Sequence, residues 1–221
     1  PALTISYTGF KNSETSAVID TAPTASTTAT TTTNVGTVAI TLAGGSDNNY
    51  SFGALNNGTL TIDKATLTAT ADNKSRVYGE ANPALTISYT GFKNSETSAV
   101  LDTAPTASTT ASVTTSVGTA TITSNAGSDN NYDFSYTNGN LTISKRPITV
   151  SVDLGLAKVF GGTDPALTYS VTVGSVVNGD TVTGSLSRAS GDFPGTYPIN
   201  IGTLSYGSNY NMTYVGRDFT I

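Results

Sequence analysis

The stretch Gly45-Ser46-Asp47-Asn48-Asn49-Tyr50 sets four oxygen-bearing side chains ahead of one aromatic ring, and it returns as Gly127-Ser128-Asp129-Asn130-Asn131-Tyr132. A hard cation such as Ca²⁺ takes about six to eight oxygen ligands, and loops rich in Asp and Asn can supply them. Asp47, Asn49, Asp129 and Asn131 are therefore the candidate metal ligands of this chain. Each loop offers a single carboxylate, and the third version, Tyr206-Gly207-Ser208-Asn209-Tyr210, offers none. Asx side chains also make turns unaided, by bonding to nearby backbone. Both readings stay open on the sequence, but the turn needs nothing from outside the chain. The closing Tyr is expected to bury its ring and to send its hydroxyl to backbone.

Other chemistry has little to work with. The 221 residues include no Cys, His, Trp or Gln. That removes disulfides, thiolate zinc sites and thioesters, along with the commonest general base and nucleophile. Lys93, Glu96 and Asp102 are the residue types of an intramolecular isopeptide bond, but they crowd into one polar loop, and burying them would cost several kcal/mol. A paired-carboxylate hydrolase wants two acids across a cleft, and no pair stands out among carboxylates that recur copy by copy. The chain reads as a non-enzyme without a cofactor. Val77-Tyr78-Gly79 and Val159-Phe160-Gly161 place a ring beside a Gly turn, which reads as a core plug more readily than as a ligand platform.

The elements that would hold these residues come in copies. Pro1–Val18 (PALTISYTGFKNSETSAV) is repeated letter for letter at Pro83–Val100, and Pro165 opens a third PALT at the same interval. The closings match as well, at Leu60–Ile62, Leu141–Ile143 and Phe219–Ile221. A fixed period of this kind is read before anything else. Within a copy the apolar period is two: Leu67, Ala69 and Ala71 alternate with Thr, and Phe134 and Tyr136, Leu141 and Ile143, and Tyr197, Ile199 and Ile201 behave likewise. Such alternation, broken by Asn-Gly, Gly-Ser and Asp-Asn turns, predicts half-buried strands. Lys93–Asp102 departs from it and predicts a helical turn capped by Asn94. With 42 Thr residues and only 11% charged residues, the solvated faces are hydroxyl-rich, as strands tolerate and helices do not.

The expectation is an all-β chain: a tandem array of small β-sandwich-like repeats, each too small for a deep pocket, forming an elongated rod. The joints Leu60–Ala69 and Leu141–Val152 run from one strand into the next without a Gly/Ser linker, so they should be semi-rigid. The phase preferred here divides the chain into 1–64, 65–145 and 146–221. Repeat 1 then lacks its opening strand and exposes an edge near Leu3 and Ile5. Starting at Pro1 and ending at Ile221, the chain reads as part of something longer. Absence of Cys favours a bacterial source.

Val77-Tyr78-Gly79-Glu80-Ala81-Asn82-Pro83-Ala84-Leu85-Thr86 and Val159-Phe160-Gly161-Gly162-Thr163-Asp164-Pro165-Ala166-Leu167-Thr168 resemble the opening signature of the MBG (mostly β, glycine-rich) repeats of bacterial surface proteins. Gly195-Thr196-Tyr197-Pro198-Ile199, Asn209-Tyr210 and Phe219-Thr220-Ile221 resemble the closing pattern. Repeats 1 and 2 depart from it at Gly36-Thr37-Val38 and Gly118-Thr119-Ala120. The resemblance implies an extracellular stalk of tandem domains in adhesins and filamentous-haemagglutinin-like proteins, and it brings no catalytic residues. The implied role is a spacer that projects a distal adhesive domain from the cell surface. The alternative is a module that itself binds a glycan or host protein. The expected partners are neighbouring repeats of the same chain, with host or surface ligands met through other domains. At a net charge of −5 no basic footprint for nucleic acid exists, and no apolar run is long enough for a membrane helix. The chain is expected to be monomeric in solution.

Overall fold

A computed structural model describes all residues, 1–221. The chain is all-β apart from two single 3-10 turns, Ser16–Val18 and Ser98–Val100. Residues 1–64 form three strands: β1 (Thr24–Thr27), β2 (Gly36–Ala43) and β3 (Gly58–Ile62). Seven follow up to residue 145: β4 (Ala65–Ala71), β5 (Lys74–Val77), β6 (Ile87–Thr90), β7 (Thr106–Ser108), β8 (Gly118–Asn125), β9 (Tyr132–Thr137) and β10 (Gly139–Ser144). Six complete the chain: β11 (Arg146–Val152), β12 (Tyr169–Val173), β13 (Ser187–Arg188), β14 (Thr196–Asn200), β15 (Tyr210–Val215) and β16 (Asp218–Thr220). No helix is long and apolar enough to cross a membrane.

The chain divides into two compact units. The first comprises Pro1–Ala69, Tyr89–Pro105 and Ala126–Tyr136. It holds the antiparallel sheet β1-β2-β3, and residues of β4, β6 and β9, which follow the order β6-β4-β9. Leu67 and Ala69 of β4 are fully buried there, whereas of residues 1–64 only Pro23 is buried.

The second unit comprises Thr70–Ser88, Thr106–Asn125 and Thr137–Ile221. It contains a four-stranded sheet, β5-β10-β8-β7, in which β5 runs parallel to β10 and the other pairs are antiparallel. The third repeat adds the sheets β12-β11-β15 and β13-β14-β16. The period-two pattern explains its core: Ile148, Val150 and Val152 all leave one face of β11 and are buried, with Ile199 from β14, Tyr210 from β15 and Phe219 from β16 in the same apolar cluster. β11 pairs antiparallel with β12 and parallel with β15. That central strand is therefore held on both edges.

One local expectation fails. Asn94 does not cap a helix: Thr97 does, its Oγ1 accepting from the Ala99 N–H at 3.4 Å. Asn94 and Ser95 instead take positive φ, 51° and 60°, and the Glu96 N–H donates to the Lys93 carbonyl at 2.8 Å. Two left-handed central residues closed by such a bond make a type I′ turn, and Asn tolerates that region unusually well. Asn12 and Ser13 repeat this geometry in the first copy.

Candidate functional site: the joints between repeats

The Asp-Asn loops are turns that also serve as connectors. Asp47 Oδ1 accepts from the backbone N–H groups of Asn49 at 2.8 Å and Tyr50 at 2.9 Å, and Oδ2 accepts from that of Asp20 at 3.0 Å. Asp20 answers by accepting from the Asn48 N–H at 3.0 Å. Asp129 and Asp102 repeat this arrangement, with Asn131, Tyr132 and Asn130 as donors. The N–H groups of Asn49, Asp20 and Tyr50 hold the Asp47 carboxyl below its ordinary value. Both carboxylates of each loop are thus engaged by backbone N–H groups. Sequence reasoning missed Asp20 as a partner, although its recurrence as Asp102 at the repeat interval was visible.

The closing Tyr reaches backbone as expected and an acid besides. The Tyr132 hydroxyl accepts from the Lys93 N–H at 2.9 Å and donates to Glu96; Tyr50 does the same with Lys11 and Glu14. The type I′ turn described above aims both groups at the ring. Glu96 therefore serves Tyr132 while Asp102 serves Asn130, so two of the isopeptide residue types are committed to different partners.

Asn131 has a different task from Asp129. Its Oδ1 accepts from the Val35 N–H at 2.9 Å, its Nδ2 donates to Asn34 Oδ1 at 3.1 Å, and its carbonyl accepts from the Ala65 N–H at 3.0 Å. One residue of repeat 2 thereby holds a loop of repeat 1 and the first residue of β4. Lys64 donates to the Asp129 carbonyl at 2.7 Å on the same side. Asn209 repeats the clamp at the next joint, accepting from the Val117 N–H at 3.0 Å and, through its carbonyl, from the Arg146 N–H at 2.9 Å. Asn49 makes no such bond: of the four residues proposed as metal ligands, only Asn131 acts across a joint through its side chain.

The second joint carries an additional aromatic contact. The Tyr78 ring, 2% exposed, meets the Tyr210 ring edge-on at 5.8 Å between centroids. Its hydroxyl donates to Asp180 Oδ1 at 3.0 Å, and the Tyr210 hydroxyl donates to Asp180 Oδ2. Burial first, then the Asp180 bond, pushes the Tyr210 hydroxyl up to about 12 and raises Tyr78 as well. Arg146 ties the turn down, donating from Nε to the Ser175 carbonyl at 2.8 Å and from Nη1 to the Tyr78 carbonyl at 3.2 Å. Gly79, at φ +83°, has no room for a side chain: a Cβ there would stand 2.3 Å from Val177 Cγ2. The apolar cluster runs through this joint, from Ile122, Leu141 and Ile143 to Ile148 and Val150. The core-plug reading of the aromatic-Gly turn thus holds for Tyr78.

It fails at the corresponding position of repeat 3. Phe160 is 64% exposed and stacks at 6.4 Å on Phe193, itself 76% exposed. Gly161 keeps the same backbone twist, φ +80°, with nothing within 4 Å of a built Cβ. Where Val35 and Val117 offer an N–H, repeat 3 has Pro194, which has none. Its opening signature is pinned differently, by Asp164 bonded to Arg188 and to Lys158 at 2.8 Å. Those two cations hold the Asp164 carboxyl down to about 2.

Three copies closed by a Tyr-bearing turn, the second and third of them opened by an aromatic-Gly turn, decide the relationship. The profile of the MBG domain (YGX type) matches residues 1–61, 67–142 and 148–220. The chain belongs to the MBG domain family. No curated protein matches it. Repeats of the MBG family occur in surface adhesin-like proteins and are of a structural, non-enzymatic type. The MBG turn motif is the part of the repeat that makes the joint here: Tyr78 and Gly79 are its first two letters.

Proposed function

We propose that this chain is a spacer: MBG repeats, divided at 1–64, 65–145 and 146–221, that project a distal adhesive domain outward from a bacterial cell surface. The observation that carries the reading is the second joint, where a buried apolar cluster continues from one repeat into the next and Tyr78, Gly79 and Asn209 lock the turn. A joint of this kind resists hinging, because opening it would expose the Tyr78 ring and leave the Asp180 carboxylate without one of its donors. A stalk needs that resistance and needs no reactive group.

Small-angle scattering tests the mechanical consequence. A spacer of three repeats should give a radius of gyration well above the roughly 17 Å of a compact chain of this length, and a value near 17 Å would refute the role. The alternative, a module that binds glycan or host protein directly, draws support from the exposed Phe160–Phe193 pair. Aromatic rings are common binding anchors. A glycan array separates the two readings: binding that disappears in Phe193→Ala would favour direct recognition.

A further inference from the structure

The turn that presents its first N–H to the closing Tyr occurs three times, but only once with a labile sequence. Lys11-Asn12-Ser13-Glu14 and Lys93-Asn94-Ser95-Glu96 are matched in repeat 3 by Val177-Asn178-Gly179-Asp180. The match is one of geometry. The Val177 N–H donates to the Tyr210 hydroxyl at 2.8 Å, as the Lys93 N–H does to that of Tyr132, and the Asp180 N–H closes the turn on the Val177 carbonyl at 3.0 Å. Of its two central residues only Gly179 has positive φ, +95°, the pattern of a type II turn. An asparagine followed by glycine can cyclise, because glycine has no Cβ to obstruct its own nitrogen. The chain has three such pairs, Asn57-Gly58, Asn138-Gly139 and Asn178-Gly179. The first two are fixed. Their glycines lie in strand ladders opposite Ile40 and Ile122, and the asparagine oxygens accept from the Leu42 and Ser124 N–H groups, each at 3.3 Å. Asn178 and Gly179 are exposed, and neither the Asn178 side chain nor the Gly179 N–H has a hydrogen-bond partner. Nothing stands within 4 Å of a Cβ built on Gly179. In the other two turns a serine follows the asparagine, and Asn94 is also anchored, donating to the Thr31 carbonyl at 3.0 Å.

We infer that Asn178-Gly179 is a site of spontaneous covalent modification, and that its conversion to isoaspartate loosens the second joint as the protein ages. The Gly179 nitrogen, its proton lost to solvent base, attacks Cγ of Asn178. The new N–Cγ bond forms as the Cγ–Nδ2 bond breaks, and Nδ2 leaves as ammonia after taking a proton from water. Water then opens the five-membered imide at either carbonyl, leaving aspartate or isoaspartate at position 178. No oxidant, metal or enzyme is needed. Isoaspartate carries the main chain through its side chain, which inserts one methylene into the turn and adds a carboxylate. Both ends of that turn belong to the joint. Val177 holds the Tyr210 hydroxyl and stands against Gly79, and Asp180 accepts from Tyr78 and Tyr210. A longer turn cannot keep both ends in place, so the lengthening, not the charge, does the loosening. The matching turns of repeats 1 and 2 are spared by their serines.

The test incubates the full chain in mildly alkaline buffer. Isoaspartate is counted by methyl transfer from S-adenosylmethionine with an isoaspartyl methyltransferase, and peptide mass mapping locates it. Conversion at Asn178 should outrun that at Asn57 and Asn138 by at least about tenfold, since those two must first give up hydrogen bonds. In concentrated urea the three pairs should convert alike. Gly179→Ser, which installs the residue of the other two turns, should slow conversion to the level of Asn94. The isoaspartate form, separated by ion exchange, should exchange its Val177 amide hydrogen at least about tenfold faster, as expected for the loss of its bond to Tyr210. Asn178→Asp adds the charge without the methylene and should leave that amide protected. Equal rates at the three pairs in the folded chain, the same ranking in urea, or no slowing by Gly179→Ser would each overturn the inference. So would an isoaspartate form whose Val177 amide exchanges as before, or equal loosening by Asn178→Asp.

Discussion

Gly79 and Gly161 form a matched pair for measuring how much close approach contributes to a joint. Both sit in the aromatic-Gly turn with nearly the same φ, +83° and +80°. Replacing either by Ala places a Cβ in the left-handed region at a cost of roughly 1–2 kcal/mol. For Gly161→Ala that is the whole effect, because nothing lies within 4 Å. For Gly79→Ala the new Cβ stands 2.3 Å from Val177 Cγ2, so Val177 or the turn must move. Overpacking of this sort typically costs a further 1–3 kcal/mol, roughly. The totals are about 2–5 kcal/mol against about 1–2 kcal/mol. Global melting blends several cooperative units, so the assay is hydrogen exchange at the amides the joint protects, Val117 and Arg146, whose acceptors are on Asn209. Gly79→Ala should speed exchange there by about 30-fold to about 4,000-fold, at tenfold per roughly 1.4 kcal/mol; Gly161→Ala should leave it unchanged. If both substitutions affect those amides equally, the joint is not held by close approach, and the argument for a stiff connection loses its main support.

Asn131→Ala and Asn209→Ala should each cost about 1 kcal/mol or more by leaving a half-buried N–H without its acceptor, whereas Asn49→Ala should stay within about 0.5 kcal/mol; urea denaturation of the three variants compares them directly. The second joint should weaken in alkali: Tyr210 is neutral and donating when folded, its pKa is raised to about 12, and the stability it contributes is complete below about pH 10 and lost as pH climbs toward 12. Near-ultraviolet titration should show a late-ionising tyrosine that Tyr210→Phe removes. Because the Asp47 and Asp129 carboxylates are occupied by N–H groups, neither EDTA nor millimolar Ca²⁺ should move the melting temperature, and a rise of several degrees with Ca²⁺ would restore the metal reading.

The strands and the repeat were legible because both are written in short-range pattern: alternation of Leu67, Ala69 and Ala71, and a phrase returning at a fixed interval. The turn reading of Asp47 and Asp129 was legible too, since Asx turns are local. The joint was not. Tyr78 and Asp180 meet across about a hundred residues, and nothing in either one's neighbourhood specifies the other. The donors that Asn131 and Asn209 accept from are backbone N–H groups, which carry no letter; only Pro194, by lacking one, leaves a trace. Ile5–Thr8 marks the limit of local reading. Its sequence predicts a strand, as in β6, but a strand needs a partner, and what lies beside a segment is not encoded within it.

The clamp has a consequence for how such an array changes over generations. Its donor in Val35 and Val117 and its acceptor in Asn131 and Asn209 come from successive repeats, and the first two repeats are nearly the same sequence. Recombination between them would insert or delete whole repeats, and every new junction would still pair an N–H with an asparagine. The length of the array can therefore drift in whole steps without any junction being redesigned. Repeat 3 does not take part on equal terms. With Phe160 where a hydroxyl is wanted and Pro194 where an N–H is wanted, it carries the acceptor half of the clamp without the donor half, so any junction on that side has to be held by other contacts.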